Sequence, residues 1–374
     1  MLFRSFNLSL QRKLLGSFRF IMNTLDCALE ELNLDIVLMN GQSFRWKKVN
    51  GDSDRSDESF EKESLPSTSN DSSIEWPSEF FQGTAYGRVW RIWRVDPTKL
   101  GFVVVARDLR SIHKSEDDKS ILRHYLQLDV NLQKLYTTWS NADPHFRSVI
   151  EADRQNLCGL RMLQQEPLET VFSFICSANN NFLRISKMVE KLCELYGRKH
   201  QSTIDVNVDH LRTFPTLGEM LERVENMEQT LRTEGFGYRA AYIANSVRKL
   251  DKLGGVEWLE DLKKLPYAEA HNALVNELPG VGPKVADCIC LMALGKNEIV
   301  PVDTHVFAIT AAHYIPELRK RKAPNKQDMI DIGNFYAERF GPHAGWAHSV
   351  LFTTRIRHLN KTIKTVEVKR KRKA

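Results

Sequence analysis

Apolar and polar positions along the chain divide it into two unlike parts. Residues 23–50 and 77–106 carry short runs rich in β-branched and aromatic side chains, separated by turns. They predict strands over Leu34–Met39, Ser43–Lys47, Arg88–Val95 and Phe102–Ala106, which together read as an antiparallel sheet. From about residue 110 the apolar spacing becomes helical, over Ser120–Leu128, Val130–Trp139 and Asp143–Glu151. Beyond Leu163 every predicted element is a helix. These are Pro167–Ala178, Arg184–Tyr196, Leu217–Asn226, Ala240–Leu253, Trp258–Leu262, Tyr267–Glu277, Lys284–Leu294, Thr304–Ala312, Lys326–Phe340 and His343–Leu359. The expected fold class is α+β. An N-terminal antiparallel β-sheet domain at 23–162 precedes an all-helical unit at 163–360, with no repeat of fixed period.

Composition adds a partner class. The 374 residues are 42% hydrophobic and 27% charged, ordinary for a globular chain. Net charge is +6, a weak pointer by itself. Residues 51–75, however, hold eight acids against two bases, so the remainder stands at +12. That footprint suits nucleic acid. The acidic stretch buries too little apolar surface to fold and reads as a disordered insert. The six cysteines form no CxxC and no zinc or iron–sulfur spacing, which points to reduced thiols and to no metal. No apolar run reaches membrane-spanning length. Residues 1–22 are basic, acid-free and interleaved with Leu and Phe, which reads as a mitochondrial targeting segment or a basic tail. In the tail 361–374, Lys369–Lys373 reads as a nuclear-localisation cluster or a solvated end. The expected locations are nucleus and mitochondrion.

The chemistry concentrates in Leu278–Asp303. Leu278-Pro279-Gly280-Val281-Gly282 is too rich in Gly and Pro for helix or strand, and both glycines can take positive φ. It opens onto a helix whose bare amides and positive dipole end suit a phosphate. Walker and GxGxxG patterns are absent, so a nucleic-acid backbone is the better ligand. Lys284 begins that helix. It is either an exposed lysine or an amine whose pKa the dipole depresses, ready to attack a sugar carbon and form a Schiff base. Asp303 follows Val300-Pro301-Val302 and precedes an apolar helix. It reads as an N-cap that also faces the positive charge developing on a deoxyribose.

Hairpin, lysine and V-P-V-D together resemble the helix-hairpin-helix-GPD superfamily of DNA glycosylases, and within it the eukaryotic 8-oxoguanine DNA glycosylases. Gly41–Trp46, Phe172–Arg184, Gly235–Ala240 and Gly341–Phe352 extend the resemblance over nearly the whole chain. It implies a bifunctional DNA glycosylase and AP lyase of base excision repair, a monomer without cofactor, acting on double-stranded DNA with 8-oxoguanine opposite cytosine. Lys284 would be the nucleophile and Asp303 the essential carboxylate. The carbonyl of Gly41 would accept the N7 hydrogen that the oxidised base alone carries. Cys288 and Phe352 would sandwich the base, with Met292 and Pro301 lining the pocket. Asn179 would fill the gap left by the base. Arg184 and Arg239 would donate to the orphaned cytosine, and Tyr238 would wedge the distorted step. His305 and the amides of Gly280, Gly282 and Val285 would grip phosphates. Arg319–Lys322 reads as backbone attraction or as a solvated loop.

Two positions depart from the pattern. His348 stands where the family commonly has Gln to read the base's Watson–Crick edge, and Pro283 has no N–H to give a phosphate. A non-catalytic DNA-binding module would need neither Lys284 nor Asp303. The adenine and oxidised-pyrimidine glycosylases usually carry a four-cysteine loop that is missing here, and the alkylated-base enzymes usually lack the lysine.

Overall fold

The computed structural model describes residues 22–50 and 76–356, except 205, 207 and 209. The expected targeting segment apart from Met22, the acidic insert and the basic tail lie outside the described residues. One antiparallel sheet dominates the N-terminal part. Its strands are β1 (Asn23–Asp26), β2 (Trp46–Asn50), β3 (Glu79–Ala85), β4 (Arg88–Asp96) and β5 (Lys99–Arg107), in the order β1-β5-β4-β3-β2. A two-residue strand from the helical part, β6 (Gln201–Ser202), pairs with the far end of β5.

The expected strand Leu34–Met39 is instead a helical turn, Leu34–Val37. Its run of four apolar residues is short, and its backbone closes onto itself, with Val37 N–H donating to the Asn33 carbonyl at 3.0 Å and Leu38 N–H to that of Leu34 at 3.1 Å. The strand expected from Ser43 begins at Trp46. The backbone before it is drawn away because Arg45 pairs with Glu190 (3.1 Å) in the helical part. Strand β3 escaped the sequence pattern because Gly83 and Gln82 break its apolar run. Gly83 is needed there, since a Cβ would lie 2.3 Å from the Trp46 ring. The helix expected over Leu217–Asn226 divides into Leu217–Leu221 and Val224–Thr233.

The remaining helices sit within a few residues of expectation. Tyr267–Glu277, Pro283–Met292, Thr304–His313 and Lys326–Phe340 form one unit with Pro167–Ser177, Phe182–Tyr196, Arg239–Leu253 and a last helix at 344–356. One apolar core runs through them. It also takes in Ile36 and Phe44 from the sheet side and Leu132 to Ile150 from the intervening helices, so it crosses the expected 162/163 boundary. No described helix is long and apolar enough to cross a membrane.

Candidate active site

The hairpin is built by backbone geometry. Val281 N–H donates to the Leu278 carbonyl at 3.1 Å, closing the turn. Gly280 has φ +83°, and a Cβ there would strike Tyr242 at 2.7 Å, so this position requires glycine. Gly282, expected to share the positive φ, is extended at φ −87° and caps the helix Pro283–Met292. Open space surrounds it. The first helical bond is Ala286 N–H to the Gly282 carbonyl. The amides of Gly280, Gly282, Lys284 and Val285 are left without partners among the described residues. These are the orphan donors of a helix start, and they suit an anion.

Lys284 lies on the first turn of that helix, half-buried. Its ammonium is 5.7 Å from the centre of the Phe174 ring, and the Cys288 thiol lies one turn on along the same helix. Burial pulls its pKa down, but Cys288, Asp303 and Asp287 outweigh burial and hold it above the usual lysine value. The expected depression by the helix dipole is therefore absent in the DNA-free protein. Burial also pushes the Cys288 thiol above its usual value, opposed by Lys284. Asp303 caps the Thr304–His313 helix: its Oδ1 accepts from His305 N–H (2.8 Å) and Val306 N–H (2.9 Å).

The pocket wall comes from three directions. His348 and Phe352, one turn apart on the 344–356 helix, have ring centres 6.1 Å apart. His305 packs its ring edge-on against Phe352 at 5.9 Å. His348 is buried and within electrostatic reach of Asp303 and Lys284. Its Nδ1 lies 3.0 Å from the Gly345 carbonyl. Cys288, Met292 and Pro301 are buried.

Gly41 has φ +90°, so this position needs glycine for its backbone as well as offering a carbonyl. No described residue donates to that carbonyl. The neighbouring Gln42 is fully engaged. Its side chain donates to the Arg161 carbonyl (2.9 Å) and accepts from Leu163 N–H (2.8 Å). Its own carbonyl accepts from Gln165 Nε2 at 2.8 Å. Gln165 N–H in turn donates to the Met292 carbonyl at 2.8 Å, tying the Gly41 turn to the end of the lysine helix. Sequence reasoning missed Gln42 and Gln165, because two glutamines carry no signal until the fold joins them.

The expected DNA face is a second cluster. Asn179 is exposed at φ +48°, a left-handed conformation uncommon outside glycine. Arg239 supports it from beneath, since its Nη2 donates to the carbonyls of Ala178 and Asn179. Arg239 is therefore buried in the DNA-free protein, its Nε lacking a hydrogen-bond partner. Arg184 is exposed and reaches the Gly235 carbonyl at 3.2 Å. Tyr238 is 47% exposed, and its hydroxyl donates to the Ala178 carbonyl. Leu183 stands beside them 72% exposed, an apolar contact that sequence reasoning passed over. Within Arg319–Lys322, Arg319 caps the carbonyls of Ala311 and Ala312 and Arg321 pairs with Asp328. Lys320 and Lys322 remain exposed.

A glycine hairpin presenting a half-buried lysine, with a capping carboxylate on the next helix, places the protein among the helix-hairpin-helix base excision repair proteins. Residues 172–330 match the HhH-GPD superfamily of base excision DNA repair proteins. Residues 24–171 match the N-terminal domain of 8-oxoguanine DNA glycosylase. The N-glycosylase/DNA lyase OGG1 of Arabidopsis thaliana is 39% identical over 246 residues, 64% of this chain and 64% of that protein. The N-glycosylase/DNA lyase of Saccharomyces cerevisiae is 36% identical over 280 residues, covering 68% and 71%. The fold is shared with the 8-oxoguanine glycosylase/lyase of Clostridium acetobutylicum, solved with double-stranded DNA containing cytosine opposite 8-oxoguanine. That likeness has a TM-score of 0.66 at 23% identity and covers 91% of this chain and 98% of that one. The chain belongs to the 8-oxoguanine DNA glycosylase family of N-glycosylase/DNA lyases.

Proposed function

We propose that this protein removes 8-oxoguanine lying opposite cytosine in double-stranded DNA and then nicks the strand, acting as a monomer. Lys284 carries the reading: a half-buried amine lies within electrostatic reach of Asp303 and begins the helix of the open hairpin amides. The glycosidic bond is out of reach within the stack, so the nucleotide is flipped into the pocket. Gly280, Gly282, Val285 and His305 hold the backbone around it. The base enters between Cys288 and Phe352, along Met292 and Pro301, and displaces the last water from the lysine. Desolvation then favours the neutral amine. Lys284 Nζ bonds to C1′ as the C1′–N9 bond breaks, and the base leaves with the electron pair and takes up a proton. The Asp303 carboxylate stabilises the positive charge on the sugar. Loss of the amine proton and ring opening yield the Schiff base. Removal of a C2′ proton expels the 3′ phosphate and cuts the strand.

Selection follows from one hydrogen. 8-Oxoguanine carries it on N7 and donates it to the Gly41 carbonyl. Guanine would set two acceptors face to face, costing about 1–3 kcal/mol. Asn179 fills the vacated stack, Tyr238 wedges the step, and Arg184 with Arg239 donates to the acceptors of cytosine. Action in both nucleus and mitochondrion belongs to the same proposal and rests on residues 1–22 and 361–374. So does the division into an N-terminal domain at 23–162 and a glycosylase domain at 163–360.

Borohydride trapping tests the reading. Wild-type protein should form a covalent adduct with an 8-oxoguanine:cytosine duplex and much less with adenine opposite, while Lys284→Gln should form none. An adduct with Lys284→Gln assigns the nucleophile elsewhere, and equal trapping opposite adenine removes the roles of Asn179, Arg184 and Arg239.

A further inference from the structure

The hairpin and the Asn179 turn, the two clusters that the proposed function sets on DNA, come from different segments, and one helix contacts both. The Arg239–Leu253 helix has Tyr238 at its N-cap. Tyr238, Tyr242 and Ser246 follow at four-residue steps, a spacing that puts side chains on one face. That face meets the hairpin in reversed order. Tyr242 packs on Gly280, where an added Cβ would lie 2.7 Å from the tyrosine Cγ. Ser246 is buried and donates its hydroxyl to the Pro279 carbonyl at 2.8 Å. Lys249, three residues on, pairs at 2.6 Å with Glu277, which ends the helix before the hairpin.

Toward its N-terminus the same face serves the other cluster. The Tyr238 and Tyr242 rings meet edge to face, their centres 5.8 Å apart at 74°. The Tyr238 hydroxyl donates to the Ala178 carbonyl at 3.1 Å, next to Asn179. Tyr242 thus touches the hairpin on one side and Tyr238 on the other. Its ring is 39% exposed, and its hydroxyl has no hydrogen-bond partner among the described residues. The hairpin does not need this ring to hold its shape. It closes on its own Val281–Leu278 bond and is anchored from beneath by Ser246. What the ring adds is a fixed relation between the two clusters, because ring quadrupoles favour one mutual arrangement and resist sliding.

Extrusion requires such a relation. The hairpin amides hold the backbone while Tyr238 and Asn179 enter the stack, and unstacking the base costs free energy that binding must supply. If the wedge could retreat from the grip, the backbone would be bound and the base would stay stacked. We propose that Tyr242 is a positioning residue that locks the phosphate-gripping hairpin to the Tyr238–Asn179 wedge, so that grip on the backbone drives insertion into the stack. The inference rests on hairpin and wedge contacting DNA as the proposed function has them. It assigns Tyr242 to the extrusion step rather than to backbone affinity or to chemistry.

The test is stopped-flow fluorescence of 2-aminopurine beside 8-oxoguanine in a cytosine-opposed duplex, which reads extrusion ahead of base release. Anisotropy on an undamaged duplex runs beside it. Tyr242→Leu and Tyr242→Met keep apolar contact with Gly280 but lose the ring pair. Each should slow extrusion about fivefold, the worth of one aromatic pair. Affinity for the undamaged duplex, which calls for no insertion, should change little. Tyr242→Phe keeps the ring and should restore extrusion. In a Tyr238→Ala background the loss should vanish, since no wedge is left to couple. Wild-type extrusion in either folded ring-less variant overturns the inference. So does an equal fall in affinity for undamaged DNA, a Phe variant as slow as Leu, or a loss that adds to that of Tyr238→Ala. Each of these leaves the functional reading standing, whereas a wild-type protein with no signal specific to 8-oxoguanine overturns that reading and this inference with it.

Discussion

At the scale of single residues, His348 is the group that would address the base under the proposed function. Its Nδ1 faces the Gly345 carbonyl at 3.0 Å, an acceptor, so Nδ1 carries the hydrogen and Nε2 presents a lone pair. The Watson–Crick edge of 8-oxoguanine offers N1–H and N2–H donors, which fit that lone pair. Protonation would set donor against donor. Burial, opposed in part by the Gly345 contact, lowers the His348 pKa from 6.5, so the acceptor form persists through neutral pH. Binding of Lys284→Gln protein to an 8-oxoguanine:cytosine duplex should weaken about tenfold on His348→Ala, the worth of one hydrogen bond. It should be largely kept by His348→Gln. Fluorescence anisotropy reads both, and equal affinity for the Ala variant would remove His348 from the base. With His348 intact, binding should decline only well below pH 6.5.

Elements place the chemistry where single residues cannot. The Thr304–His313 helix needs an N-cap, and Asp303 supplies it through Oδ1. Cap and charge can be separated. Asn caps a helix as well as Asp does, whereas Ala loses about 1 kcal/mol. Asp303→Asn should therefore melt close to wild type while base release falls by about a hundredfold or more. Asp303→Ala should lose both activity and a few degrees of melting temperature. Calorimetry beside single-turnover kinetics checks this, and an active Asn variant would reduce Asp303 to a cap. The 344–356 helix is positioned in a similar way. A Cβ on Gly345 would lie 2.4 Å from the Ile299 carbonyl, so glycine lets this helix close onto the segment leading to Asp303. Trp346 Nε1–H donates to Asn297 Oδ1 at 3.0 Å and fixes its rotation. His348 then lies within electrostatic reach of Lys284, with Phe352 packed beside it.

Across the whole molecule, the sheet side and the helical side are tied together at the end of the lysine helix. The Gly41 turn belongs to the sheet side and Met292 ends the lysine helix, and Gln42 and Gln165 join them through two 2.8 Å bonds. Selection and chemistry are thus assembled from distant parts of the chain. Gln165→Ala should free the Gly41 carbonyl from its register with the lysine. Excision of 8-oxoguanine should then drop about tenfold, while nicking of an abasic duplex, which has no base to read, stays near wild type. Parallel assays on the two duplexes measure this, and an equal loss on both would make the bridge a support of the fold alone.

Much of this was legible in the chain. Apolar runs with helix-start and helix-stop residues marked the helices that carry Lys284 and follow Asp303, because a helix buried on most sides is apolar along its length. Gly280 and the capping Asp303 were readable because a left-handed turn and a helix start each demand particular residue types locally. The tertiary structure decided the rest. It turned Leu34–Val37 into a helix. It made Gly282 extended, held Lys284 above its usual pKa, buried Arg239 beneath Asn179, and set Tyr242 against Gly280. Each depends on which distant group comes to lie within a few ångströms. Electrostatics and hydrogen bonding fall off with distance in space and have no period along the sequence.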